Sequence, residues 1–325
     1  MEEQVLGTRT DLTALNLAVQ NIRDQIRKVI VGQDEMVRLI IAALLADGHV
    51  LIEGVPGVAK TLTAKLVASS LNVGFSRIQF TPDLMPSDVL GTPVFNPQEA
   101  KFEFKKGPLF SNIVLIDEIN RAPAKTQAAL FEVMEEKQIT VDGKTYPMQA
   151  PFMVLATQNP IEQEGTYRLP EAQLDRFLFK VLVPYPTEQE EFDILRQFHN
   201  MGNVNVLSLI DAVLPGSQIV EIRKQVKTLV IEEKLLQFIA HLTHMTRNHK
   251  SIYLGASPRA SLAIMNASKA IAAINGRDFV TPDDILEVVP PVLRHRIILS
   301  PDKEMEGISE DAVLKQIIHS MDIPR

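Results

Sequence analysis

The sequence predicts an α/β protein: a parallel sheet covered by helices on both faces, interrupted by two β-hairpins, and then a separate all-helical C-terminal domain. Three observations carry this. Through the first 185 residues, short apolar runs alternate with stretches of helical periodicity, the pattern of βα units. Two segments break that alternation with strand–turn–strand patterns. Beyond the stiff break Pro184-Tyr185-Pro186, only helical periodicity remains.

Residues 13–28 place Leu15, Val19, Ile22 and Ile26 at helical spacing. A turn at 29–33 follows, punctuated by Gly32, and a second helix is expected over 34–46. The core then reads as strand 49–53, loop 54–60, helix 61–71, and strands 75–80 and 112–117. Helix 126–136, strand 152–157, helix 171–177 and strand 179–183 complete it. The hairpins fall at 92–104, turning at Asn96-Pro97-Gln98-Glu99, and at 139–148, turning at Asp142-Gly143. In the C-terminal half, Thr187 with Glu190 forms a capping box before Phe192, Leu195 and Phe198. Helical patterns recur at 218–227, 232–247, 258–274 and 282–289, the last opened by Thr281-Pro282. The expected domains are 1–185, the α/β core with an N-terminal helical segment, and 186–325, the helical domain.

Composition narrows the function. The 325 residues suffice for two domains, with 46% hydrophobic and 22% charged side chains, unlike a disordered chain. The absence of cysteine excludes disulfides, thiolate metal sites and cysteine nucleophiles, and fits a reducing, cytoplasmic setting. No signal peptide is read at Met1-Glu2-Glu3-Gln4, and no apolar run is long enough to span a bilayer. A net charge of −7 disfavours broad nucleic-acid binding.

The chemistry sits in three segments. Gly54-Val55-Pro56-Gly57-Val58-Ala59-Lys60-Thr61 lies between an apolar strand and a helix, the context of a phosphate-binding Walker A loop. Backbone N–H groups and the helix N-terminus wrap phosphates in such a loop. Lys60 is assigned to the β- and γ-phosphates, Thr61 to Mg²⁺, and Leu62 to the nucleotide-binding segment. Ala59 departs from the pattern, standing where the second glycine usually does. Ile113-Val114-Leu115-Ile116-Asp117-Glu118 is a Walker B strand: Asp117 is assigned to Mg²⁺ and Glu118 to polarising the attacking water. Phe152-Met153-Val154-Leu155-Ala156-Thr157-Gln158-Asn159-Pro160 is a buried strand ending in an amide. Asn159 is the first choice for a sensor of the γ-phosphate and Thr157 the second.

In this order and detail the chain resembles the MoxR family of AAA+ ATPases. The resemblance spans about residues 25 to 320. It rests on the loop at 53–61, Leu115 to Ala122, Ala156 to Pro160, Leu169-Pro170-Glu171-Ala172-Gln173-Leu174-Asp175-Arg176-Phe177 and Gly255-Ala256-Ser257-Pro258-Arg259. Alanine at position 59 is frequent in that family. The hairpins match those of the clade holding magnesium chelatase subunits, one in the second helix and one before sensor 1. The resemblance implies ATP and Mg²⁺ as cofactors. It also implies a homo-oligomeric ring, a hexamer, acting on protein clients, among them von Willebrand factor A domain proteins. It makes Arg176 an arginine finger, with Arg121 and Arg168 weaker candidates, and Arg259 the sensor 2 arginine. Val31, Gly32 and Gln33 would line the adenine. Two other readings stay open: a nucleic-acid motor, disfavoured by acidity and by turns without aromatics, and a slow nucleotide switch.

Overall fold

The computed structural model describes residues 12–55, 57–141, 143–159, 169–201 and 204–324. Pro56, Asp142, Pro160 and Arg168 lie outside the described residues. In chain order, α1 (Thr13–Arg27) and α2 (Asp34–Leu45) precede β1 (His49–Gly54), α3 (Lys60–Ser70) and β2 (Phe75–Gln79). Then come α4 (Pro86–Leu90), the hairpin β3 (Gly91–Asn96) and β4 (Lys101–Lys106), and β5 (Ile113–Asp117). A 3₁₀ turn, Ile119–Arg121, leads into α5 (Ala124–Glu136) and the hairpin β6 (Gln138–Val141) and β7 (Lys144–Pro147). β8 (Met153–Gln158), α6 (Glu171–Leu174), β9 (Phe177–Val183) and α7 (Glu188–Met201) follow. The rest comprises a 3₁₀ turn (Val206–Leu209), α8 (Gly216–Lys227), α9 (Glu233–Asn248), β10 (Ile252–Leu254), α10 (Pro258–Ile274), α11 (Pro282–Leu293), β11 (Ile298–Leu299), α12 (Pro301–Met305) and α13 (Glu310–His319).

Packing divides the chain into two compact units: residues 21–220, and the described residues up to Gln20 together with those from Glu221 onward. The break at Pro184–Pro186, the boundary expected from the sequence, therefore lies inside the larger unit. That unit is built on a five-stranded parallel sheet in the order β2-β5-β8-β1-β9. β5 is buried at every position and β8 at all but its last, as strands covered on both faces must be. Side chains such as Val114, Ile116, Val154 and Phe131 form one core beneath it. Each contributes roughly 1.5–3 kcal/mol by leaving water. The buried His49, at the start of β1, is satisfied twice: Val154 N–H donates to its Nδ1 at 3.0 Å, and Nε2 lies 3.2 Å from the Met134 carbonyl.

Both hairpins form. β3 and β4 pair antiparallel from Gly91 opposite Lys106 to Asn96 opposite Lys101, and β6 and β7 pair around the turn at Gly143. α4 is the only helix described between β2 and the first hairpin. The turn of that hairpin has no aromatic residue, yet its strands leave Phe95 51% and Phe102 72% exposed. Acidity therefore remains as the sequence argument against nucleic acid. At its base, Phe104 stacks on Tyr146 of the second hairpin with ring centroids 4.6 Å apart, so the two insertions pack together.

Three expectations change. The helix expected over 171–177 ends at Leu174, and Phe177 opens β9 instead. Phe177 is buried edge-on against Phe131, which draws it into the sheet. The second unit is not wholly helical: β10 and β11 pair antiparallel, in strands too short to show a period in sequence. α12 and α13 extend the helical set. Within this unit Asp284 caps α11 and receives both Arg277 guanidinium nitrogens at 2.6 and 2.8 Å. No described helix is long and apolar enough to cross a membrane.

Candidate active site

In a parallel sheet the carboxyl ends of all strands share one edge, and there ligands bind. β1, β5 and β8 are neighbours, with Val50 opposite Leu155 and Ile116 opposite Ala156. The three segments singled out in the sequence thus leave the sheet side by side. Thr157 falls next to Asp117, and the loop after Gly54 starts beside Gln158.

The loop leaves β1 at Gly54, where a Cβ would stand 2.7 Å from the Val183 carbonyl oxygen, so β9 admits only glycine. Gly57 has φ +88°, a conformation glycine adopts freely. Ala59 has φ +55° and ψ +19° and caps α3. Alanine pays about 1–2 kcal/mol there, which glycine would avoid. Lys60 begins α3, and its ammonium donates to the Gly54 carbonyl across the loop. Burial lowers the proton affinity of Lys60, while the nearby acids Asp117, Glu118 and Glu53 act in the opposite direction. Asp117 and Glu118 thus lie close enough to act on the Lys60 charge, as does Glu53, which Lys180 pairs at 3.0 Å. Thr61 follows at half-buried exposure.

The acid pair is held on every side. Asp117 is buried at the end of β5, with Arg77 Nε 2.6 Å from Oδ2 and Thr157 Oγ1 3.2 Å from Oδ1. Glu118 has left-handed backbone angles, φ +56° and ψ +53°. Its N–H donates to Thr157 Oγ1 at 3.1 Å, and its Oε2 accepts from Gln79 at 2.7 Å and pairs with Arg121 at 3.0 Å. Asn159 is buried just past the end of β8. Arg77, Gln79 and the doubly bonded hydroxyl of Thr157 were not apparent in the sequence as partners of the acids. Their only signal is strand register, which needs the sheet order.

Beside the loop lies a cleft of about 460 Å³, lined by Val31, Gly32, Gln33, Val58, Ala59, Leu62, Tyr185 and Ile194 among others. The size suits a nucleoside. Gln33 donates to the Val58 carbonyl, tying the cleft wall to the loop. Thr187 and Glu190 form the expected capping box, with Thr187 N–H and hydroxyl donating to one carboxylate oxygen at 2.7 and 2.8 Å. Those bonds hold the Glu190 carboxyl below its usual range.

Two arginines remain. Arg176 immediately precedes β9, whose first residue Phe177 pairs with His49, while Val183 pairs with Gly54. Six residue steps lie between Phe177 and Val183, so roughly 20 Å or more separates Arg176 from its own phosphate loop. Its guanidinium pairs with Glu135 at 3.1 Å and lies over the Phe131 ring. Arg259 occupies the first turn of α10 in the other unit.

Comparison with known proteins agrees with this architecture. Residues 49–179 match the ATPase family associated with various cellular activities (AAA), and residues 244–317 match the AAA lid domain. The chain is 44% identical over 301 residues to the uncharacterised protein YeaC of Bacillus subtilis, covering 93% of each. It is 42% identical over 310 residues to chaperone MoxR1 of Mycobacterium tuberculosis, covering 93% of this chain and 81% of the relative. A crystal structure of a candidate ATPase from Cytophaga hutchinsonii superposes with a TM-score of 0.90 at 42% identity, covering 97% of each chain. With its motifs on the expected strands and such identity across nine-tenths of its length, the chain belongs to the MoxR family of AAA+ ATPases.

Proposed function

We propose that the chain binds ATP with Mg²⁺, hydrolyses it to ADP and phosphate, and uses that cycle to remodel, mature or activate protein complexes as a subunit of a homo-oligomeric ring. The observation that carries this reading is the convergence of Lys60, Asp117 and Glu118 at one edge of the sheet, beside a cleft of nucleoside size. The chaperone name of the Mycobacterium tuberculosis relative supports a protein client; von Willebrand factor A domain proteins are proposed as such clients on the family resemblance alone.

The residues fit each role. Lys60, charged and half-buried at a helix N-terminus, attracts the terminal phosphates. The Thr61 hydroxyl and Asp117 carboxylate are hard oxygen donors of the kind Mg²⁺ accepts, and the ion when bound neutralises phosphate charge. Glu118 accepts a hydrogen bond from the attacking water and polarises it, with Gln79 and Arg121 fixing its side chain. Asn159 orients the water or the γ-phosphate. Arg259 takes the sensor 2 role that the family resemblance implies. Arg176, about 20 Å along the sheet from its own loop, acts on a neighbouring subunit's nucleotide.

The test is steady-state turnover with and without DNA, alongside Glu118→Gln. The wild type is expected to hydrolyse ATP without DNA stimulation, and Glu118→Gln to bind ATP but not turn it over. Strict DNA dependence would move the chain to a nucleic-acid motor. Wild-type turnover in Glu118→Gln would remove Glu118 from the chemistry.

A further inference from the structure

We propose that Thr157 is the positioning residue of the acid pair, holding Asp117 and Glu118 through one hydroxyl in the geometry that metal binding and water activation need. This rests on the reading of those two acids given above.

A threonine hydroxyl has one proton to donate and lone pairs to accept with. Here the proton goes to Asp117 Oδ1 at 3.2 Å, and the oxygen accepts the Glu118 N–H at 3.1 Å. The side chain is 3% exposed, so water does not compete. Each bond has a separate consequence. The first leaves Asp117 with one oxygen fixed by Thr157 and the other by Arg77, so its carboxylate plane is set before any cation arrives. The second supplies a partner for the backbone of Glu118, whose left-handed φ of +56° persists only where surroundings hold it. That backbone turn directs the chain out of β5 and sets the position of the glutamate. Parallel pairing of β5 and β8 makes the arrangement local, because Ile116 lies opposite Ala156. Thr157 touches no substrate; it acts through the acids. A β-branched filler in a buried strand would make neither bond, and valine would serve as well.

Thr157→Val keeps the shape and removes the hydroxyl, while Thr157→Ser keeps the hydroxyl and removes the methyl. Thr157→Ala gives the same comparison where valine does not fold. The first readout uses the nucleotide-free protein: hydrogen exchange over 115–121 is expected to accelerate in Thr157→Val and stay protected in Thr157→Ser. The second is the Mg²⁺ dependence of fluorescent ATP binding. The apparent Mg²⁺ affinity should fall about 10–100-fold in Thr157→Val, with binding in EDTA unchanged. The third is kcat, which should fall by a similar factor with Thr157→Ser near wild type. Unchanged exchange and Mg²⁺ dependence in Thr157→Val overturn the proposal, as does equal loss in the serine and valine variants. Glu118→Gln separates the two readings. If it is inactive while Thr157→Val behaves as wild type, only the positioning role falls. If Glu118→Gln also turns over normally, the assignment of the acid pair falls with it.

Discussion

Arg77 reaches from β2 to Asp117 on β5, Nε to Oδ2 at 2.6 Å, and so supplies the countercharge for a carboxylate buried at the edge of the sheet. Removing it takes away the cation bonded to Asp117 and leaves the Thr157 hydroxyl and the nearby Lys60 charge. Arg77→Met is expected to lower the stability of the nucleotide-free protein by about 1–2 kcal/mol, the cost of an under-satisfied acceptor beside a half-exposed arginine. Saturating Mg·ATP should narrow that gap, since bound cation replaces the lost charge. Thermal unfolding with and without Mg·ATP measures both. Equal melting of variant and wild type in the absence of nucleotide would mean that the pair is not a stabilising one.

Lys60 is held against the interests of the folded state. Burial makes its charged form costly, and Asp117, Glu118 and Glu53 recover only part of that cost. The unfolded chain therefore holds the proton more tightly. Stability from this group rises with pH from the lowered folded value towards the ordinary lysine range near 10.5, and the penalty is fully present below that window. Lys60→Met should accordingly melt higher than wild type near neutral pH without nucleotide, with the difference shrinking towards about pH 10. The same variant should lose ATP binding or nearly so. Denaturant titration at both pH values checks the first claim and nucleotide titration the second.

Whatever was encoded locally could be read from the sequence. The strands ending at Gly54, Asp117 and Gln158 are buried over most of their length, so each carries an apolar run, at 50–52, 113–116 and 153–156. The caps at Thr187 and Thr281 are likewise local patterns and both form. Elements too short to repeat a period were not legible: α4 has five residues and β11 two, and no amphipathic repeat can declare itself in so few. Phe177 continued a helical pattern, but a place against Phe131 outweighed it. The site was legible only where function fixes residue type in sequence, as in the loop and the acid pair. Arg77, Gln79 and Thr157 reach the acids through the order β2-β5-β8, a tertiary fact. Ala59 is the reverse case: the departure from glycine was visible, but its left-handed conformation was not.

Two aromatic contacts on the same face of the first hairpin should differ in energy. Phe104 stacks on Tyr146 and meets Phe110 edge-on at 5.9 Å, whereas Phe102 is 72% exposed beside Phe95. Phe104→Ala is expected to cost about 1–3 kcal/mol and to loosen both hairpins, because it removes the contact that joins them. Phe102→Ala should cost about 0.5 kcal/mol or less, as exposed substitutions do. Equilibrium denaturation gives the ranking, and limited proteolysis within 91–106 and 138–147 reports the loosening. A reversed ranking would show that the exposed pair, not the Tyr146 stack, holds the hairpin.

The position of Arg176 makes assembly testable. Phe177 pairs with His49 and Val183 with Gly54, so the residue before β9 stands at the opposite edge of the sheet from its own phosphate loop. An arginine side chain cannot cross roughly 20 Å. If Arg176 stabilises transition-state charge, it must do so on another subunit, and its resting partner Glu135 is an exposed one that yields it at little cost. Arg176→Ala should then bind ATP almost normally and hydrolyse it slower by about 10³-fold or more, the scale of fingers supplied in trans. Specific activity of the wild type should rise with protein concentration. Mixing Arg176→Ala with Lys60→Ala gives the sharper measurement. In a mixed ring, the intact phosphate loop of an Arg176→Ala subunit can face the intact Arg176 of a Lys60→Ala subunit, so activity should return in part and vanish on dilution. A co-assembled mixture as inactive as its components would exclude a trans role for Arg176, and a fully active wild-type monomer would exclude the need for one.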